Sequence, residues 1–445
     1  MQPAYDPPPG FPSHGAPSPY PAPGFGPPGQ VPGPPAPPPA PLSTSAFLAI
    51  ALAALALGAE RLAYYGSRSM TYPLSVMLGE ARPTLSHVGT LAAICGVVVG
   101  GILGYALGPR LTGLLGAVVG VLGAVACVVA PGLVGVALIG FGSGVCRPVP
   151  LAVIVEEVPA SVPGRFRRVA ASLAFAYVAV DVAGYSSSLF STAATRFGLR
   201  PAFMLVGACF GVVAALAIVL LVLGPKRHLE SDTRLEIVRG QDADPYRAAP
   251  TVRAAGPALP LALLGALLGA HLVEVVGTGV AYYPQRAGFG SASMMSIAFG
   301  LQTFISLAVT VALGLFYAVT DASARARSVY VFAGGMAATA LFALLRIPAS
   351  GFYPLVALLG FGVVAAQSVA GVVGLAAFAS RFPRRAGPAA VAAWILVSMG
   401  VPFLMSLVPE HGYAAVAAGL ASLLALVGAG VLAGLGKVVQ PEEDP

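Results

Sequence analysis

The sequence predicts an all-α membrane protein of twelve transmembrane helices, arranged as two six-helix halves with internal repeats. Three observations predict it. First, 57% of the 445 residues are hydrophobic and 9% are charged, where an average soluble domain carries about 25% charged residues; mean hydropathy is +0.85. Second, the runs 114–146, 201–224, 347–380 and 413–436 contain no Asp, Glu, Lys or Arg, and crossing a bilayer takes roughly 20 apolar residues. Third, one polar stretch, 225–256, divides the apolar segments six and six.

Residues 1–42 hold 18 of the 41 prolines, no Lys or Arg, and Asp6 as their single acid. A segment so poor in apolar bulk cannot form a core, and it reads as a disordered, polyproline-like tail. It lacks the basic n-region and small-residue cleavage site of a signal peptide. The tail is expected to be an inert tether; the other reading is a docking arm for a proline-recognising partner. The amino-terminal bundle, 43–224, follows with spans at 44–78, 84–108, 111–130, 132–157, 169–195 and 200–224. In the second span, Gly96, Gly100, Gly104 and Gly108 recur every four residues, a stripe suited to close helix contact. The linker 225–256 precedes a carboxy-terminal bundle, 257–436, with spans at 257–284, 291–320, 328–346, 351–380, 386–409 and 413–436, and a tail at 437–445.

With both termini placed in the cytoplasm, the cytoplasmic loops and tail hold 16 Lys and Arg against 5 in the opposite loops. This bias matches the positive-inside rule and places the chain in an inner or plasma membrane. The net charge of +7 is then a mark of topology. Spread over separate loops, it gives no nucleic-acid footprint. Cys95, Cys127, Cys146 and Cys209 all lie within apolar spans at spacings that suit no metal site, so buried free thiols are expected. No P-loop, His–Glu metal cluster or nucleophile–base pair stands out, which argues against an enzyme and against a cofactor.

Ionisable groups at membrane depth are costly and usually face a polar cavity. Here they are Glu60, Arg61 and Arg68 in span 1, Arg147 in span 4, Asp181 in span 5, and His271 and Glu274 in span 7. Two six-helix halves joined by a charged loop is the layout of the major facilitator transporters, whose halves rock about a midplane site and divide into three-helix repeats. Spans 1, 4, 7 and 10 open those repeats; three of them carry mid-span charge, and the fourth carries Gln367. Arg61, Tyr64, Tyr65 and Arg68 share one face of span 1 at i, i+3, i+4 and i+7. Arginine forks suit carboxylates and stay charged, whereas a glutamate can take up or release a proton. A cationic wall on the first half and Glu274 on the second fit a two-ended, zwitterionic solute. The alternative is a static ion pair that only fixes packing.

Several segments resemble the proton-dependent oligopeptide transporters. "LGAERLAYYGSR" is similar to that family's E-x-x-E-R-F-x-Y-Y-G, with Glu60, Arg61, Tyr64, Tyr65 and Gly66 matching and Leu57 in place of the first glutamate. "GSGVCRPVP" resembles G-T-G-x-x-K-P, with Arg147 at the lysine; "AYVAVDVAG" places Tyr177 on a tyrosine and Asp181 on a substrate-contacting asparagine. "VEVVGTG" sets Glu274 at an acid, "QSVAGVVGL" puts Gln367 where a glutamate is usual, and "AVAAWIL" aligns Trp394 with a span 11 tryptophan. "GGILGYALGPRLTG" is similar to the superfamily's loop motif, with Tyr105 at its aspartate.

The resemblance implies uptake of di- or tripeptides with protons. It implies Arg61 and Arg147 on the peptide carboxylate, Glu274 near the amine or on the proton path, and Glu60 with Arg61 in proton coupling. Tyr64, Tyr65, Arg68, Tyr177, Asp181, Gln367 and Trp394 would complete the binding site. Leu57 and Gln367 remove two of the family's acids, so coupling would rest on Glu60, Glu274 or Asp181. Two other readings stand beside this one: a non-transporting binding or sensor protein of the same fold, and a facilitator of a different organic solute.

Overall fold

The computed structural model describes residues 43–79, 82–158, 165–224 and 387–406, with scattered positions between 304 and 319 and Leu375. All described elements are helical: α1 (Thr44–Ser69), α2 (Thr71–Leu78), α3 (Arg82–Leu107), α4 (Pro109–Val129), α5 (Leu133–Cys146), α6 (Pro148–Glu157), α7 (Arg165–Ser186), α8 (Ser188–Phe197), α9 (Leu199–Val222) and α10 (Gly387–Ser406). Six stretches among the described residues are long and apolar enough to cross a membrane: Thr44–Ser69, Thr84–Leu107, Pro109–Val129, Leu133–Glu157, Arg168–Phe197 and Leu199–Val222. They coincide with the six spans expected for the first half. The tail 1–42, the linker 225–256 and most of the carboxy-terminal spans, with His271, Glu274 and Gln367, lie outside the described residues.

Two spans break where proline falls. Pro73 has no N–H to offer the carbonyl four residues back, and its ring crowds that turn, so the first span divides at Met70 into α1 and α2. Span 4 divides at Arg147, immediately before Pro148 and Pro150. Arg147 keeps helical backbone angles and its N–H bonds to the Ser143 carbonyl at 2.9 Å, so the break shifts register without unwinding the chain. The turns between paired spans are tight. Gly108 (φ +86) and Gly198 (φ +90) begin α4 and α9 in a backbone region that side chains rarely adopt.

Span 4 is the hub, with 83% of its apolar window buried inside the protein, against 28–50% for the others. In lipid there is little hydrophobic gain in bringing helices together, so close backbone approach has to supply the contact. The glycine stripe of α3 provides it, toward two partners. A side chain at Gly96 would meet the Gly144 backbone and one at Gly100 would lie 2.7 Å from the Val145 carbonyl oxygen. One at Gly101 would strike Ala392, and one at Gly104 would strike Pro388, both on α10. Thus α3 packs on α5 along one side and on α10, from the carboxy-terminal half, along the other. His87 on α3 also meets Phe403 on α10 edge-to-face, with ring centroids 6.0 Å apart. Phe190, Phe203 and Phe210 fill the space among α1, α4, α5, α8 and α9.

At the end of the bundle where α4 begins, Arg110 pairs with Glu157 and donates to the Leu220 carbonyl at 3.0 Å, tying α4, α6 and α9 together. Glu157, at the end of span 4, is therefore a structural anchor. The thiols differ from expectation. Cys127 and Cys146 are buried, but Cys209 is only half-buried and Cys95 faces outward, because it falls on the side of α3 opposite the packed glycines.

Candidate functional site

The charged groups of the first half converge where α1 meets the break in span 4. Glu60 and Arg61 are fully withdrawn from the surface, with side chains 0% and 2% exposed. Arg61 Nε donates to Glu60 Oε2 at 2.6 Å and Nη2 donates to Oε1 at 2.5 Å, the two-pronged match of a guanidinium and a carboxylate. Neighbouring side chains on a helix diverge by about 100°, so both must bend toward one flank to meet. A third group closes the arrangement. Ser143 of α5, itself fully buried, accepts from Arg61 Nη2 at 3.1 Å and donates to Glu60 Oε1.

Aromatic rings cover the guanidinium on its other side. Arg61 lies 4.8 Å from the centre of the Tyr64 ring and 5.5 Å from that of Tyr65. The two rings are tilted together at 5.8 Å. The quadrupole of an aromatic face attracts a cation, more so where water is excluded. Leu57, one turn before Glu60, is buried; an apolar side chain suits that dry flank.

Arg147 stands at the centre of the span 4 break, half-buried, within electrostatic reach of Arg61, Glu60, Tyr64 and Tyr65. Among the described residues no group accepts a hydrogen bond from its guanidinium. Tyr177 of α7 is in reach of Arg147, Arg61, Tyr65 and Asp181. One cluster therefore gathers Glu60, Arg61, Tyr64, Tyr65, Arg147, Tyr177 and Asp181 from spans 1, 4 and 5.

Two predicted site residues bond to side chains outside this cluster. Arg68 donates to the Ser86 carbonyl at 3.0 Å and to Thr90, fastening α1 to the start of α3, while lying 5.9 Å from the Tyr64 ring centre. Asp181 Oδ2 accepts from Thr310 Oγ1 at 2.8 Å. Thr310 is buried and belongs to a short apolar helical stretch, Leu307–Phe316, whose Gly314 also lies against Ala174 and Phe175 of α7. Asp181 thus links the two halves. Trp394 is buried on α10, a helix that packs on α3 and α6.

Sequence reasoning missed Ser143 and Thr310. The signal for Ser143 was present: a lone hydroxyl between two glycines, one helical turn before Arg147, in the span with no other polar residue ahead of it. Thr310 carries no such signal, because a threonine in an apolar span ordinarily bonds its own helix backbone. Among the described residues, no three His, Cys, Asp or Glu side chains converge to hold a metal ion.

No protein-family model matches the sequence, and no curated protein matches it either. The fold is nevertheless shared with solved structures. The chain is similar to the major facilitator superfamily proton:xylose symporter XylE, solved with 6-bromo-6-deoxy-D-glucose, at a TM-score of 0.58 and 16% identity, over 88% of this chain and 94% of that one. A likeness of this extent at so low an identity establishes the architecture: an all-α membrane protein with the major facilitator fold.

Proposed function

We propose that this membrane protein is a secondary transporter that moves a small zwitterionic solute of the di- or tripeptide class together with protons. Its two halves rock about a central site. The observation that carries this reading is the Glu60–Arg61 clasp beside the open Arg147. A guanidinium buried between spans 1 and 4 is held by the protein's own carboxylate, in the geometry a substrate carboxylate would adopt. A second guanidinium stands next to it with no hydrogen-bond acceptor among the described residues. Static packing could be had from neutral side chains at lower cost.

In this reading the substrate carboxylate first meets Arg147, between Tyr177 and Tyr65. It then competes with Glu60 for Arg61, and Glu60 takes a proton as its partner is lost. Glu274 receives the substrate amine from the second half. Arg68, Tyr64, Asp181, Gln367 and Trp394 border the site, with Arg68 and Asp181 holding its walls through Thr90 and Thr310. With both termini cytoplasmic, one positive charge falling through 100 mV supplies about 2.3 kcal/mol, enough for roughly 50-fold accumulation. One working carboxylate therefore suffices despite Leu57 and Gln367.

The test is uptake of labelled dialanine by proteoliposomes under an imposed proton gradient. Uptake should be saturable and should collapse with a protonophore. It should also be lost in Arg147→Gln. Xylose, the solute of the structural neighbour, belongs in the same assay; its uptake in place of dialanine would overturn the zwitterion reading.

A further inference from the structure

A carboxyl group that changes protonation inside a protein needs a partner for each of its two forms. The carboxylate needs donors, and the neutral acid, now a donor itself, needs an acceptor. Arg61 serves only the first form, since a guanidinium has five N–H donors and no acceptor. Were Glu60 to be protonated while surrounded by donors and hydrocarbon alone, its O–H would be buried unsatisfied.

The groups that face Glu60 can be named element by element. Arg61, Tyr64 and Tyr65 lie on its own helix, with Tyr64 and Tyr65 turned to the Arg61 guanidinium. From span 4 come Ser143, Cys146 and Arg147. Across a small crevice α4 contributes Arg110 and Gly113, and α9 only Val213, Ala217 and Leu220. From α7, Tyr177 is in reach of Arg61, and α8 meets α1 through Phe190 at Gly66. Cys146 already donates its thiol to the Gly113 carbonyl at 3.4 Å. Within this set the one hydroxyl bonded to Glu60 is that of Ser143.

Ser143 also sits between two close backbone contacts. A side chain at Gly142 would lie 2.8 Å from the Gly116 carbonyl oxygen, and one at Gly144 would lie 2.9 Å from the Gly96 Cα. The two glycines therefore seat α5 backbone-to-backbone against α4 and α3, and Ser143 between them projects at α1. Its position does not depend on Arg61 staying in place.

We propose that Ser143 is a positioning residue that keeps Glu60 hydrogen-bonded in both protonation states. It donates to the carboxylate while Arg61 is paired. It turns its hydroxyl to accept the carboxyl O–H once Arg61 has left for a substrate carboxylate. The proton comes from solvent hydronium, which is left as water, and binds a Glu60 oxygen, while the Ser143 hydrogen only rotates about its C–O bond. This inference deepens the transporter reading and uses its assignment of Glu60.

Infrared difference spectroscopy of the full chain in lipid nanodiscs, titrated from neutral to acid pH, tests it without any substrate. The carboxylic C=O band abolished by Glu60→Gln should appear on acidification. It should move to higher frequency in Ser143→Ala, where the hydrogen bond is missing, and return in Ser143→Thr, where the hydroxyl is restored. An unmoved band in Ser143→Ala overturns the proposal, as does the absence at every pH of any band that Glu60→Gln removes. Dialanine uptake by the wild-type chain is measured in parallel. Failure of uptake with the band shift intact would reject peptide transport and leave the role of Ser143 standing.

Discussion

Removing the charge of Glu60 should destabilise the fold far more than a surface substitution would, and removing both charges of the clasp should restore much of the loss. The reasoning starts from exposure: the pair is 0% and 2% exposed, so neither charge regains water when its partner is neutralised. Truncating one member of such a pair costs about 3–5 kcal/mol, whereas an exposed pair contributes about 0–1 kcal/mol. Glu60→Gln keeps the side-chain length and an acceptor for Ser143, which isolates the loss of charge. It is expected to cost about 3 kcal/mol, the lower end of that range, because the Tyr64 and Tyr65 faces still attract Arg61. The double variant Glu60→Gln/Arg61→Gln, with no charge left to strand, should recover more than half of that while abolishing proton-driven uptake. Equilibrium unfolding in mixed detergent micelles, run as a double-mutant cycle, gives the coupling energy directly. A Glu60→Gln variant within about 0.5 kcal/mol of the wild type would show that water reaches the pair, and the account of a dry clasp would fall.

Gly100→Ala places a methyl 2.7 Å from the Val145 carbonyl oxygen and should separate α3 from α5. The expected loss is about 1–3 kcal/mol, as for other overpacked contacts. Gly211→Ala, with open space around it, is the neutral control in the same thermal-unfolding assay. Thr310→Val removes the hydroxyl bonded to Asp181 and should cost about 1.5–3 kcal/mol, the range for a hydrogen bond to a charged group; Thr310→Ser should restore stability. Arg147→Gln should leave thermal stability within about 1 kcal/mol of wild type while abolishing dialanine binding by calorimetry, the opposite of the pattern expected for Glu60→Gln.

The fold was legible because membrane crossing imposes length and composition so strictly: each of the six described spans lies on a predominantly apolar run of about 20 residues or more, even where spans 1, 4 and 5 carry charge within it. The clusters around Glu60, Arg61 and Arg147 were legible for a related reason. Charge is so costly in hydrocarbon that its presence marks a polar interior. Two things could not be read. Helix periodicity gave the face that Arg68 occupies but not what that face would meet, and the side chain is long enough to reach Ser86 and Thr90 on α3. The hydroxyls of Ser143 and Thr310 were hidden because a serine or threonine in an apolar run looks the same whether it bonds its own helix or a carboxylate on another. Only the approach of backbones at Gly142 and Gly144 decides that for Ser143.

Under the proposed function, the geometry of the clasp would make proton and substrate binding mutually dependent. Arg61 can pair with one carboxylate in the two-pronged mode, either that of Glu60 or, in the proposed function, that of a bound peptide. When the peptide takes it, Glu60 is left as a buried anion with Ser143 as its remaining bonded donor, a state that costs several kilocalories per mole. Protonation removes that cost, so each ligand favours the other, and by linkage the effect is the same in both directions. Dialanine should therefore bind more tightly as the solution becomes more acidic, with uptake of about one proton per peptide bound. Calorimetry in two buffers of different ionisation enthalpy reads that proton directly. The uptake should vanish in Glu60→Gln even where binding survives, because the glutamine cannot take the proton. Proton uptake that persists in Glu60→Gln would move the coupling site elsewhere, to Asp181 or Glu274, and would leave the Glu60–Arg61 pair with packing as its task.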